Sequence, residues 1–157
     1  MTGVQTCALP ICDDRQQSVA NALAIVPDFY TYVLVHDAAR AFIPEAVCRR
    51  VIDRLEAGAQ AVVPTMPVVD TVRPMSGDEL GAVINREELA RIQTPQGFRR
   101  EVIAAAYGQA TRRATDDAAL VADLGIVVHS VQGSERAFKV TTADDLVIAQ
   151  VYARGEQ

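Results

Sequence analysis

Asp37 and Arg40 stand three positions apart directly after the apolar run VLVH. A carboxylate accepts hydroxyl protons, and the planar fork of a guanidinium takes phosphate oxygens. The pair therefore suits a phosphorylated polyol. The plainer role for Asp37 is a cap on the next turn, or an ion pair with Arg40. Lys139 is the only lysine in the chain and lies in the segment FKVTT. Thr65, Thr94, Gln96, Thr141 and Thr142 are the other polar residues at expected strand ends. Open α/β sheets bind ligands beyond the carboxyl ends of their strands, so these positions form the candidate set. Asp13, Asp14 and Arg15 precede a helix that carries Ser18. Such a start is either a capped N-terminus or a nucleotide site built on exposed N–H groups. Asp116 and Asp117 read as helix-start residues rather than metal ligands, and His36 and His129 as side chains packed beside a sheet.

The elements that must position these residues alternate between strand and helix. A helix is expected over 16–26, with Val19, Ala22, Leu23 and Val26 on one face. A β-branched strand follows at 32–36. Pro44 suits the first turn of a helix over 44–57, whose stripe is Val47, Val51 and Leu55 and whose stop is Gly58. Residues 59–64 read as a buried strand. Segments 68–73 and 81–84 flank the turn-rich PMSGD, which predicts a hairpin arm over about 68–86. A short helix at 87–91 and a longer one at 99–113 come next. Thr115 caps a helix that has two carboxylates in its first turn and ends at Gly125. Strands are expected at 126–131 and 137–140. Thr142 and Asp145 form a capping-box-like start for a last helix reaching about 153. Continuous apolar strands fit a sheet covered on both faces, so the reading is an α/β domain with a mostly parallel sheet and one hairpin arm.

Composition excludes several classes. The chain has 157 residues, half of them apolar, which is enough for one domain with a real core. Its net charge of −5 argues against non-specific nucleic-acid binding, because no excess cation is available to displace phosphate counterions. No apolar run has the length of a membrane span. Cys7, Cys12 and Cys48 have no metal-binding spacing, so a reducing, cytoplasmic protein is expected. Residues 1–12, MTGVQTCALPIC, resemble the in-frame translation of a common sequencing-library adapter. They are read as an artefact and 13–157 as a partial domain, with natural sequence expected upstream of Asp13.

The segments DDRQQSVANAL, VLVHDAARAF, PVVDTVR, REELARIQTPQGF, TDDAALVADLG and FKVTTADDL occur in this order across 13–153. Together they resemble the 2-C-methyl-D-erythritol 4-phosphate cytidylyltransferase family. The resemblance implies a Rossmann-like nucleotidyltransferase sheet. It also implies cytidylyl transfer from CTP to the polyol phosphate, with release of pyrophosphate, in non-mevalonate isoprenoid synthesis. It implies nucleotide contacts at Asp13, Ser18 and the backbone of Ala38. It implies polyol-phosphate contacts at Asp37, Arg40 and Thr94, with Lys139 stabilising the reacting phosphates. The family's arm reaches across a homodimer, so Thr71 and Arg86 would complete the partner's site. Mg2+ would travel mainly on the CTP phosphates. No nucleic acid or membrane partner is implied.

The sequence departs from the family pattern at Ala41, at Arg136 to Phe138 and at Ala143. An alternative is therefore a cytidylyltransferase for ribitol phosphate or another polyol phosphate. The family's opening strand and glycine-rich loop, which bring an Arg and a Lys to the triphosphate, have no counterpart in the sequence. With those N-terminal βα units missing, the chain is expected to be inactive alone. A reading from another class is a phosphoacceptor signalling module using Asp13, Asp14, Asp37, Thr65 and Lys139. Spacing argues against it: the acidic pair follows no strand, and the arm lies between Thr65 and Lys139.

Overall fold

The computed structural model describes residues 14–155. Residues 1–12 and the candidate Asp13 lie outside the described residues. Helix α1 (Arg15–Ile25) starts where the Asp14 carboxylate accepts the Gln17 N–H at 2.7 Å. Strand β1 (Tyr32–Val35) leads into the turn that carries Asp37. Helix α2 (Glu45–Glu56) buries Val47, Val51 and Leu55, as its stripe predicts, and each such burial contributes about 1.5–3 kcal/mol over exposure. Pro44 serves as its N-cap, and Gly58 turns the chain away at φ 103°.

Strand β2 (Ala61–Pro67) is the centre of the sheet. Its period-two alternation divides the core. Ala61 and Val63 face Phe98 together with α3 (Arg100–Gln109) and α4 (Asp117–Asp123), whereas Val62 faces Val51 and Leu55 of α2. Strand β7 (Val128–Gln132) pairs parallel to β2, from Ala61 opposite Val128 to Thr65 opposite Gln132.

The other edge of β2 differs from the sequence expectation. Strands β5 (Ala90–Ile92) and β6 (Gln96–Arg99) lie along it one after the other, both antiparallel. Strand β6 also pairs antiparallel with β1, Val35 opposite Gln96. The apolar strands β1, β2 and β7 thus share one direction, as read from the sequence, but the sheet is mixed because β6 separates β1 from β2. The sequence hid β6 because QTPQGF carries a proline and a glycine and no apolar alternation. Gly97 is what lets it through: a Cβ there would run into Val51 and Leu55 of α2.

The arm is a hairpin whose ladder lies at its tip, β3 (Met75–Ser76) against β4 (Glu79–Leu80), with one further bridge between Val72 and Ile84. The helix expected at 87–91 is a 3-10 turn, Arg86–Glu88, that passes into β5. The helix expected to reach 113 ends at Gln109, and Asp116 rather than Thr115 caps α4. The strand expected at 137–140 is absent. A 3-10 turn, Glu135–Ala137, leads instead into the loop carrying Lys139, and α5 (Ala143–Ala153) starts at Thr142.

Candidate active site

Residues 37–40 form a tight turn after β1, closed by the Arg40 N–H on the Asp37 carbonyl at 2.9 Å. This turn aims the Asp37 carboxylate back over the carboxyl end of the sheet. Its backbone N–H donates to the buried Thr94 hydroxyl at 3.0 Å, and Thr94 also contacts His36 Nδ1 at 2.9 Å. Thr94 sits between β5 and β6, so the strand that sequence reasoning missed is what brings it here.

Three cations surround the Asp37 carboxylate. Arg15 Nε reaches Oδ1 at 3.3 Å, Lys139 Nζ reaches Oδ2 at 3.2 Å, and Arg40 Nε lies 4.0 Å from Oδ2. Burial alone would raise the Asp37 pKa, but hydrogen bonding and charge from Lys139, followed by Arg15, hold it below the ordinary carboxylate value. Lys139 is held by its loop. The Val140 N–H donates to Ala39 O at 2.9 Å, and Phe138 joins an aromatic cluster with Phe42 and Tyr152. Gln93, also buried, fastens the start of that loop by exchanging bonds with Ser134, 2.8 Å to its carbonyl and 3.0 Å from its N–H.

Arg40 is engaged differently from the expected free fork. Its Nη1 donates to Ala137 O at 2.7 Å and its Nη2 to Ile92 O at 3.4 Å, which ties the Lys139 loop to β5. Its Nε is buried without a hydrogen-bond partner among the described residues, and burial lowers its pKa against the opposing charge of Asp37. Ala38 is the one exposed residue of the 37–40 turn, between the half-buried Asp37 and Ala39. Ser18 stands in the first turns of α1 and donates its hydroxyl to Asp14 O at 3.1 Å. Thr71 and Arg86 stand apart on the arm, exposed, and Arg86 Nη1 donates to Val69 O at 2.6 Å.

Of the remaining strand-end polar residues, Gln96 is structural. Its amide bridges Asp116 Oδ2 and the Ala118 N–H, both at 3.0 Å, fixing the start of α4. Thr141 and Thr142 serve the α5 cap. His129 accompanies Arg54 at 3.2 Å. Sequence reasoning missed Arg15 and Asp117 as members of the cluster. Arg15 sends Nη1 and Nη2 to Asp117 at 3.0 and 2.5 Å while its Nε holds Asp37, and the Tyr107 hydroxyl donates to Asp117 Oδ1 at 2.5 Å. Burial lowers the Arg15 pKa, but bonding and charge from Asp117 and then Asp37 outweigh it and leave the pKa raised. The Tyr107 pKa is raised, first by burial and then by its bond to Asp117. The sequence carried no separate signal for Asp117, because two carboxylates at a helix start already suit the helix dipole.

A carboxylate for hydroxyls, a half-exposed ammonium with donors to spare and two guanidinium groups suit a phosphorylated polyol. They are carried at the strand ends of an α/β domain whose sheet is covered by helices on both faces, the place where such folds bind their ligands. Residues 10–155 match the family model described as IspD, 2-C-methyl-D-erythritol 4-phosphate cytidylyltransferase, and the chain belongs to that family. It is 48% identical over 140 residues to the 2-C-methyl-D-erythritol 4-phosphate cytidylyltransferase of Rhodococcus jostii (strain RHA1), covering 87% of this chain and 61% of the relative. The relative of the same name from Salinibacter ruber (strain DSM 13855 / M31) is 47% identical over 140 residues, covering 87% of this chain and 58% of its own length. The chain thus spans about three fifths of these curated relatives. The crystal structure of the Thermus thermophilus protein of this name superposes with a TM-score of 0.85 at 39% identity, covering 93% of this chain and 72% of that one.

Proposed function

We propose that this chain supplies the polyol-phosphate half of a cytidylyltransferase site, for transfer from CTP to 2-C-methyl-D-erythritol 4-phosphate. The observation that carries the reading is the Asp37 carboxylate set among Arg15, Arg40 and Lys139 beside the buried Thr94 hydroxyl. Asp37 would accept polyol hydroxyls, with Thr94 fixing the turn beneath it. Lys139 would hold the phosphate whose oxygen attacks the α-phosphorus of CTP. As that P–O bond forms, the bond to pyrophosphate breaks, and pyrophosphate leaves with the electron pair. Such a reaction relies on positioning and on cations aimed at developing charge.

Asp13 and Ser18 would contact the nucleotide together with the Ala38 backbone. Thr71 and Arg86 would complete the site of a second copy reached by the arm. Mg2+ belongs to this chemistry as a charge carried on the triphosphate. The described residues offer no cage for it: they hold no group of three His, Cys, Asp or Glu, and the three cations around Asp37 would repel a metal ion while leaving its oxygens lone pairs for hydroxyls. A cytoplasmic location is part of the proposal; among the described residues no helix is long and apolar enough to cross a membrane.

The test is a titration of the chain with 2-C-methyl-D-erythritol 4-phosphate, followed by NMR at the Asp37, Arg40 and Lys139 amides. Saturable shifts are expected, with affinity reduced at least roughly tenfold in Lys139→Ala, about the 1.4 kcal/mol of one charged hydrogen bond. Equal affinity for ribitol phosphate would widen the substrate class to polyol phosphates generally. Absence of binding to either would overturn the reading.

A further inference from the structure

Asp117 is a fully buried carboxylate that the proposed chemistry does not touch. Burying a carboxylate is costly unless it is paired, and an apolar residue of similar size would serve packing as well or better. Nor is Asp117 needed as a cap, because Asp116 already accepts the Ala119 N–H at 2.9 Å. What it does is fix a guanidinium. Its two oxygens take the Nη1 and Nη2 of Arg15 in a bidentate pair, and the Tyr107 hydroxyl donates to one of them. With its end-on fork anchored, Arg15 has one orientation left, and in it the Nε–H meets Asp37 Oδ1. Tyr107, Asp117, Arg15, Asp37 and Lys139 thus form one chain of hydrogen bonds running from α3 to the strand ends, with charge alternating from Asp117 to Lys139.

We propose that Asp117 is a positioning residue: acting through Arg15, it sets the orientation in which Asp37 and Lys139 meet the polyol phosphate. The inference deepens the functional reading above and rests on it for the identity of the ligand. The mechanism is local. The Arg15 side chain is about one-third exposed, 35%. Without Asp117 the fork has water to turn to, and Asp37 loses the cation at its Oδ1. A lysine at position 15 would not substitute, since a single ammonium lacks the two edges that bind the two carboxylates.

The test is an acid titration of the Asp37 carboxyl carbon by NMR in the wild type and in Asp117→Asn. The wild-type midpoint is expected below the usual value of about 3.9, and the variant's to rise toward it. The Arg15 Nε–H resonance, protected in the wild type, is expected to exchange rapidly in the variant. Asp145, which is bonded to Thr141 and Thr142, is the control and is expected to keep its midpoint. An Asp37 midpoint that stays or falls would overturn the inference, because Arg15 would then hold Asp37 unaided. A rise at both Asp37 and Asp145 would overturn it too, as general loosening. Should Asp117→Asn fail to fold, Tyr107→Phe decides by the same reading, with a smaller rise expected at Asp37 and no rise counting against. In the binding arm, affinity for 2-C-methyl-D-erythritol 4-phosphate is expected to fall roughly tenfold. If the wild type does not bind that compound, the functional reading fails, while the Asp37 titration still decides the positioning role.

Discussion

Arg15, Arg40 and Lys139 all turn a nitrogen toward Asp37, and each reaches it from a different part of the chain. The pKa of Asp37 is lower in the folded protein than in the unfolded chain, where it is about 3.9. The sign follows: the cluster contributes fully above that value and loses its contribution as pH falls through the lower, folded one. Asp37→Asn is expected to lower stability at neutral pH by about 1–3 kcal/mol, because three cations then face one another without their shared anion. Its acid limb should be shallower than the wild type's. Urea melts at neutral and acidic pH check both points; equal midpoints at neutral pH would mean the cluster contributes nothing net. Asp37, Arg40, Thr94 and Lys139 were legible because strand ends and scarcity single them out. Arg15 and Asp117 were not, because they are 102 residues apart and only the tertiary fold pairs them. The role of Arg40 was half legible: its charge was plain, but its use of both Nη groups on carbonyls could not be read from spacing.

Among the elements, those with a chemical start signal were read best. Thr142 and Asp145 form the capping box they predicted, and the Asp145 carboxylate also takes the Thr141 N–H and hydroxyl, each at 2.9 Å. The backbone N–H groups of Thr141 and Thr142, followed by their hydroxyls, hold the Asp145 pKa at about 2. The cap therefore stabilises α5 above the ordinary carboxylate value and lets go as pH falls through about 2. Thr142→Ala removes the hydroxyl that bonds the Asp145 N–H. It is expected to raise the Asp145 midpoint and to weaken the helix start by about 1 kcal/mol, as caps generally do. Carboxyl NMR and thermal melts measure the two effects, and an unmoved midpoint would show that the backbone donors suffice. Elements without such signals were misread. Strand β6 hides in a Pro- and Gly-containing hexapeptide because its register comes from β1 and β2, not from its own alternation. FKV at 138–140 has the composition of a strand, yet it has no strand partner among the described residues. Arg40 and Ala39 hold that segment as a loop, and this is what presents Lys139 to Asp37.

For the molecule as a whole, the arm is the feature its own core does not explain. Its tip pairs only with itself, and Met75 and Leu80 are 74% and 64% exposed, with Val69 and Val83 exposed beside them. Apolar side chains gathered on a thin projection gain about 1.5–3 kcal/mol each if another surface covers them. The function proposed above makes a second copy of the chain that surface, with Thr71 and Arg86 at the partner's strand ends. Helix α5 offers a competing apolar face, with Leu146, Val147 and Ile148 exposed. The two faces can be separated by experiment. The chain is expected to sediment as a dimer, and Met75→Glu with Leu80→Glu to sediment as a monomer with an unchanged circular dichroism spectrum, since neither side chain belongs to the core. Val147→Glu is expected to leave the dimer intact. A dimer that survives the arm substitutions and dissociates with Val147→Glu would move the interface to α5. Thr71 and Arg86 would then lose their proposed role, because nothing else in the fold carries the arm to a strand-end cluster.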